Sequence, residues 1–162
     1  HVHAGQGESR PGRMRVSACQ QGVLAQTGIE SLELVKCAMQ TAQPDAVFVI
    51  DALAAAEPGR LFRTVQLSDS GIVPGSGVGN SRHEFSRRTL GVPVVAVGVP
   101  TVVDAFSLIR QAELELDVPQ GVMVTLQDVD ARVREMGRLI GYGCNLALHR
   151  SLSLGEIPAF LS

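Results

Sequence analysis

Short apolar runs rich in β-branched residues alternate along the chain with segments whose apolar positions recur every three or four residues. The continuous apolar run at 47–50 is typical of a strand that is covered on both faces in a parallel sheet. Such runs predict four strands, at residues 15–18, 46–50, 64–67 and 92–99.

Four helix starts are indicated by a Ser or Thr followed three residues later by an acidic residue. In that arrangement each side chain can bind the other residue's backbone N–H. The pairs are Thr27 with Glu30, Ser81 with Glu84, Thr101 with Asp104, and Thr125 with Asp128. The corresponding helices are predicted over residues 27–41, 81–90, 101–115 and 125–149, with Gly91 ending the second.

The order of these elements predicts an α/β fold, a layered sheet with flanking helices. A chain of 162 residues fits one domain, which buries roughly 70% of the surface of the unfolded chain. We expect residues 14–162 to form this single domain. Residues 1–13 mix Gly, Pro, Arg and His without periodicity, so we expect an irregular surface loop that has been cut.

Composition and charge narrow the range of partners. The content of 45% hydrophobic and 19% charged residues is typical of a globular protein. The formal net charge of -2 provides no positive electrostatic potential that would attract nucleic acid or an anionic membrane. No run reaches the ~18 apolar residues of a membrane span. The three cysteines are an odd number and lack metal-ligand spacing, so we expect neither a zinc site nor a disulfide framework. We therefore expect the protein to reside in a reducing cytoplasm. No cofactor is predicted.

Asp51 is the leading candidate for catalysis. It directly follows the apolar run that ends at Ile50, so we expect it at the carboxyl end of a central strand, where open α/β sheets bind ligands. The alternative is that Asp51 caps a helical turn over residues 52–56.

The glycine-rich segment at 68–80 is the second candidate region. It lacks the Gly-x-Gly-x-x-Gly order and a following Gly-Lys-Ser/Thr, which disfavours nucleotide binding. We interpret it as part of a substrate cleft, where glycines let the backbone approach a bound chain. The alternative is a loop that needs glycines for its backbone conformation and binds no ligand. The candidate cleft residues are Asp69, Ser70, Gly71, Gly75, Ser76, Gly77, Gly79 and Asn80.

Other polar residues have simpler explanations. Asp69 and Asp104 follow predicted strands and are within possible reach of Asp51. An Asx turn at Asp69 and a role for Asp104 as the acidic partner of the Thr101 cap explain them more simply. His83 and His149 lack a second ligand at metal-binding spacing, so no metal site is predicted. The sequence contains no Gly-x-Ser-x-Gly motif and no recognisable Cys/His pair, so it does not indicate a Ser or Cys nucleophile.

Several motifs resemble the germination protease family of spore-forming bacteria. They are VIDALA at 49–54, QLSDSGI at 66–72, PGSGVGN at 74–80 and GVPVVAVGVPTVVDA at 91–105. The resemblance begins near Val16 and resumes at 123–125 and 145–149, and the family has a longer insertion between those blocks than residues 106–121 provide.

The resemblance implies an atypical aspartic endopeptidase that degrades small acid-soluble spore proteins during germination in the spore core. It also implies the phosphorylase/hydrolase-like fold of the hydrogenase-maturation peptidases and a homo-oligomer when the protein is complete. Asp51 matches one of the family's two catalytic aspartates.

The family's second aspartate lies in a Pro-Asp-Ala-Leu-Gly segment that this sequence does not contain. We therefore expect a fragment, or one piece of a split enzyme whose missing segment is a separate chain, with little activity alone. Two alternatives stay open: a metal-dependent peptidase of the hydrogenase-maturation type, in which Asp51 is a ligand, and a catalytically incomplete binding or scaffold domain.

Overall fold

The computed structural model describes residues 2–4, 14–20, 30–75, 83–116, 118–119, 121–151, 153 and 155. The chain divides into two compact units, one made of 1–42 and 134–162 and the other of 43–133. The single domain predicted for 14–162 stays a prediction.

The first unit contains a small antiparallel ladder and helical segments. Strand β1 (Val2–Ala4) pairs with β2 (Ser17–Cys19), with Val2 opposite Cys19. Thus part of the segment predicted to be irregular forms a strand. Helix α1 (Ser31–Ala42) follows and confirms the described part of the first predicted helix.

The second unit contains a mixed four-stranded sheet. Its strands are β3 (Val47–Ala55), β4 (Gln66–Ser68), β5 (Val94–Asp104) and β6 (Met123–Val124). The order is β3-β5-β4, with β6 also paired to β5. Strands β3 and β5 are parallel, whereas β4 and β6 run antiparallel to β5. The mixed α/β class is confirmed, although the sheet is not purely parallel.

The later α-helices of the described residues begin after their predicted starts. They are α2 (Arg87–Leu90), α3 (Ala105–Gln111) and α4 (Val129–Leu148). A 3-10 turn at Pro58–Arg60 was not predicted. Ser86 is the cap of α2, and its N–H donates to Thr89 Oγ1 over 3.0 Å. Thr125 caps no helix, because its hydroxyl donates to the Thr101 carbonyl over 2.6 Å. Gly91 ends α2 in the left-handed conformation, as predicted.

The core of the second unit is centred on β5. The buried strand residues are Val94, Ala96, Val97, Gly98, Val99, Pro100 and Val103. In β3, by contrast, Phe48 and Ile50 are 39% and 55% exposed. The prediction that 47–50 is covered on both faces is therefore wrong. Strand β3 lies at an end of the strand order and pairs only with β5 among the described strands, so burial alternates along it.

Candidate functional site

Asp51 lies in the middle of β3. It is the fifth of nine strand residues and pairs with Gly98 of β5, while Ala52 pairs with Val99. The strand continues to Ala55, so Asp51 is neither at a strand end nor the cap of a helical turn, and both sequence interpretations of its position are wrong. The apolar run is interrupted at Asp51, but three alanines and Leu53 after it extend the parallel pairing.

The register places Asp51 in one row with Gly98 and Gln66. Gly98 lies between the other two, and paired residues project from the same face of a sheet. Leu53, two residues after Asp51, projects from this face as well. A Cβ atom added to Gly98 would lie 2.7 Å from Leu53 Cγ. The Leu53 side chain therefore occupies the space above Gly98, directly beside Asp51.

Two other aspartates that were candidates to approach Asp51 lie at opposite ends of the sheet. Because β4 runs antiparallel to β5, Asp69 follows the residue that pairs with Ala96 and lies near the amino end of β5. Along the strand direction, Asp69 lies three residues, roughly 10 Å, from the level of Gly98. It also follows β4, which is separated from β3 by β5. Asp104 is six steps, roughly 20 Å, beyond Gly98 in the other direction. Neither is a partner for Asp51.

Asp104 is a helix cap, which corrects the prediction that it is the acidic partner of a cap at Thr101. Its Oδ2 accepts hydrogen bonds from the Ser107 N–H over 2.9 Å and from the Ser107 hydroxyl over 3.0 Å. Asp104 is the capping residue itself, not the third helical residue of a box opened by Thr101, because Thr101 still belongs to β5.

The turn after β4 is held by serines. The Ser70 N–H donates to Ser68 Oγ over 3.2 Å, and the two hydroxyls are 2.7 Å apart. Asp69 is exposed between them. The side chain that accepts a backbone hydrogen bond in this turn is thus that of Ser68, and not that of Asp69 as the predicted Asx turn requires.

The base of the glycine-rich segment is closed by backbone hydrogen bonds. Ile72 and Phe85 exchange bonds of 2.9 and 2.8 Å. Gly71 has a φ of 100°, and a Cβ there would lie 2.8 Å from the Ser86 Cβ, so this close approach requires glycine. Gly75 also has a positive φ. Four candidate cleft residues lie outside the described residues: Ser76, Gly77, Gly79 and Asn80.

Sequence reasoning missed the residues around Asp51. Gly98, Leu53 and Gln66 were not proposed for the site, although a glycine inside an apolar strand signals a close approach. That signal identifies Gly98, but only the register connects it to Asp51.

The described residues offer no group of three or more His, Cys, Asp and Glu side chains suited to a metal ion. His149 Nδ1 accepts a hydrogen bond from the Met14 N–H over 3.3 Å, and His83 is exposed. The three cysteines are free thiols, and burial raises the pKa of Cys144. In the same part of the chain, no helix combines the length and apolarity needed to cross a membrane.

Comparisons with known proteins identify relatives of the chain. A sequence model described as germination protease matches residues 2–117. The germination protease of Clostridium acetobutylicum is 37% identical over 182 residues, covering 91% of this chain and 56% of that protein. The Clostridium tetani protein is 36% identical over 176 residues, with coverages of 87% and 54%. The Geobacillus protein is 54% identical over 93 residues, with coverages of 57% and 25%.

Two facts about length follow from these matches. The chain spans a little over half the length of the clostridial relatives. The first alignment extends over 182 residues although the chain has 162, so the relative has residues within the matched region that this chain lacks. The match of the family model over most of the chain and the identities above establish that the chain belongs to the germination protease family.

Proposed function

We propose that this chain is part of a germination-protease-type endopeptidase in which Asp51 is one of two aspartates that activate water. The observation that carries the proposal is the position of Asp51 in the Ile-Asp-Ala-Leu-Ala motif, half-buried on β3 and beside Leu53 above Gly98. A carboxylate beside an apolar side chain and a glycine is less hydrated than one in open solvent, which strengthens its interactions with a reacting water.

Hydrolysis by this route needs two carboxyl groups with different protonation. One carboxylate accepts a proton from water as the water oxygen attacks the peptide carbonyl carbon. The other, protonated, donates to the leaving nitrogen as the C–N bond breaks. Two carboxyl groups at close range share one proton because their like charges disfavour ionisation of both. One group is then the base that accepts a proton from water, and the other is the acid that donates to the leaving nitrogen.

The second carboxylate is proposed to come from polypeptide beyond these 162 residues. Among the described strand residues, the rows next to Asp51 hold Val49, Ala96 and Ser68 on one side and Leu53 and Pro100 on the other. None is acidic. The greater length of the relatives supports a source outside this sequence, in the Pro-Asp-Ala-Leu-Gly context that the family resemblance implies.

The finer assignments rest on the family resemblance. They are small acid-soluble spore proteins as substrates, the spore core as the location, a homo-oligomer as the complete form and a phosphorylase/hydrolase-like fold. The relatives are germination proteases, which supports protein substrates and a role in germination. A separate chain that supplies the second carboxylate is the alternative to a longer single chain.

The largest expected effect comes from Asp51→Asn in a longer version of the protein that includes the Pro-Asp-Ala-Leu-Gly segment. The amide keeps the shape of the side chain but cannot accept the proton from water. Turnover of a purified small acid-soluble spore protein, followed by gel and mass spectrometry, should fall by about 100-fold or more.

Asp104→Asn is the matched control, because asparagine also caps helices and the position is remote from Asp51. Its turnover should stay within about twofold of the parent protein. Unchanged turnover in Asp51→Asn would show that this aspartate is not part of the catalytic pair.

A further inference from the structure

The register between β3 and β5 changes directly after Leu53. Leu53 pairs with Pro100, but Ala54 pairs with Val102, so the pairing passes over Thr101 of β5. An extra residue in one strand is the pattern of a β-bulge, which bends the strand and redirects the side chains near it. The alternation of half-buried and exposed residues along β3 also ends here, because Leu53 and Ala54 are both half-buried.

The extra residue of β5 is held by a side chain from outside the β3–β5 pair. The Thr125 hydroxyl donates to the Thr101 carbonyl over 2.6 Å, at the short end of the range for such bonds. Thr125 directly follows β6, whose Val124 pairs with Val103 of β5. This bond restricts the backbone at Thr101, so the irregular register beside Leu53 is a defined feature of the sheet.

The Leu53 side chain reaches back from its own row to the row of Asp51. The Leu53 backbone is level with Pro100, but its Cγ lies 2.7 Å from the point at which a Cβ on Gly98 would be placed. That point is directly across the strand pair from Asp51. Neighbouring strands are about 4.8 Å apart, so a group at this point is within contact distance of the Asp51 side chain.

The part of the sheet that receives the Leu53 side chain is well covered. Ala96 and Pro100 flank Gly98 on the same face of β5, and they are 3% and less than 2% exposed. Close packing in such a region allows few alternative side-chain positions. Leu53 is therefore held over Gly98 and has little freedom to move away from Asp51.

We infer that Leu53 is a positioning residue for the Asp51 carboxyl group: over Gly98 it occupies the space toward β5 into which the Asp51 side chain would otherwise turn. This inference rests on the proposed peptidase function and states how one carboxyl group of the catalytic pair is oriented. Asp51 remains the catalytic residue, and Leu53 acts through it by restricting its rotamers. Orientation matters because a misplacement of about 1 Å in a reacting group costs about 100-fold in rate.

The first test measures the Asp51 rotamers in the 162-residue chain by NMR, from three-bond couplings to Asp51 Cγ that report the χ1 populations. Leu53→Ala should lower the population of the dominant rotamer by at least about 20 percentage points. Leu53→Met preserves most of the volume and should lower it by less than about 10. Val103→Ala is the control for lost core packing, because Val103 is buried five residues beyond Gly98, and it should leave the populations unchanged. Equal populations in Leu53→Ala and the parent chain would overturn the inference.

The second test refills the space that Leu53→Ala vacates. Combining Leu53→Ala with Gly98→Ala places a methyl group opposite Asp51, where the leucine side chain lay. The double variant should recover at least about half of the rotamer preference that Leu53→Ala loses. Circular dichroism verifies the fold of each variant. A double variant with no more preference than Leu53→Ala would show that filling this space does not orient Asp51.

The third test measures cleavage by the longer protein used for Asp51→Asn. Leu53→Ala should lower kcat by about tenfold and change KM by less than about twofold, because it alters the orientation of Asp51 and not the binding of substrate. Leu53→Met and Val103→Ala should both keep kcat within about threefold of the parent protein.

Two outcomes separate this inference from the proposed function. Unchanged kcat in Leu53→Ala, with Asp51→Asn inactive, would reject the positioning role and leave the proposed function intact. Full turnover by Asp51→Asn would reject the proposed function, whereas the χ1 populations in the 162-residue chain decide independently whether Leu53 orients Asp51.

Discussion

Strands β3 and β5 run side by side in the same direction, and both are composed mainly of Val, Ala and other apolar residues. Strand β5 has neighbours on both edges, and most of its residues are buried. Strand β3 has one described neighbour, and its burial alternates. The comparison separates two properties of an apolar run. The run itself favours a strand, whereas the number of neighbouring strands determines how far that strand is covered.

The two strands also contribute different chemistry at the same level of the sheet. Strand β3 provides Asp51, and β5 provides Gly98 opposite it. The glycine makes space for Leu53, so the buried strand shapes the surroundings of the carboxylate without a side chain of its own. Changes in β5 should therefore affect both packing and the site, whereas most changes at the exposed positions of β3 should have little effect on packing.

The largest stability effect is expected for Gly98→Val. On the buried strand β5, the added atoms would collide with Leu53. Because this overpacking displaces neighbouring side chains, we expect a loss of about 3 kcal/mol in the free energy of unfolding. Urea unfolding followed by circular dichroism measures the change. Gly59→Ala is the control, since no atom lies within 4 Å of the added Cβ, and it should change stability by less than about 0.5 kcal/mol. A Gly98→Val protein as stable as the control would contradict the packing of Leu53 above Gly98.

A smaller difference is expected between two truncations, one in each strand. Val103 of β5 is 1% exposed, whereas Ile50 of β3 is 55% exposed. Val103→Ala should reduce the free energy of unfolding by about 2 kcal/mol through lost burial and a cavity. Ile50→Ala removes more atoms but should reduce it by less than about 0.5 kcal/mol. Equal losses in urea unfolding would mean that β3 is covered as completely as β5.

The sequence predicted the existence of β3, β4 and β5 because each contains an apolar, β-branched run. It did not predict where Asp51 lies in its strand. The run of large apolar residues ends at Ile50, but the pairing continues through residues with weak strand preference because β5 supplies partners as far as Val103. Partners distant in sequence thus determine the end of the strand.

The direction of β4 explains why Asp69 does not approach Asp51. Local sequence indicates a strand before Asp69 but contains no information on whether that strand runs parallel or antiparallel to its neighbour. The antiparallel pairing of Leu67 with Val97 sends Asp69 toward the amino end of β5. A parallel β4 would have carried it toward the end at which Asp104 lies.

The predicted start at Thr27 lies outside the described residues, whereas the later helix starts were predicted from a correct physical rule applied to the wrong residues. The pattern of a hydroxyl followed by an acid recurs by chance, and it competes with strand pairing at Thr101 and with a carbonyl bond at Thr125. The observed caps, Ser86 and Asp104, are the polar residues that directly precede the helices.

The smallest effect concerns the end of β5, where the two strands differ again. Strand β5 continues directly into α3 through the Asp104 cap, whereas β3 is followed by an irregular segment before the turn at Pro58–Arg60. Asp104→Ala leaves the Ser107 N–H without its acceptor, so the free energy of unfolding should fall by about 1 kcal/mol. Asp104→Asn keeps a capping oxygen and should lose only a few tenths. If urea unfolding gives equal losses for the two variants, the Asp104 carboxylate contributes something other than a cap to the junction between β5 and α3.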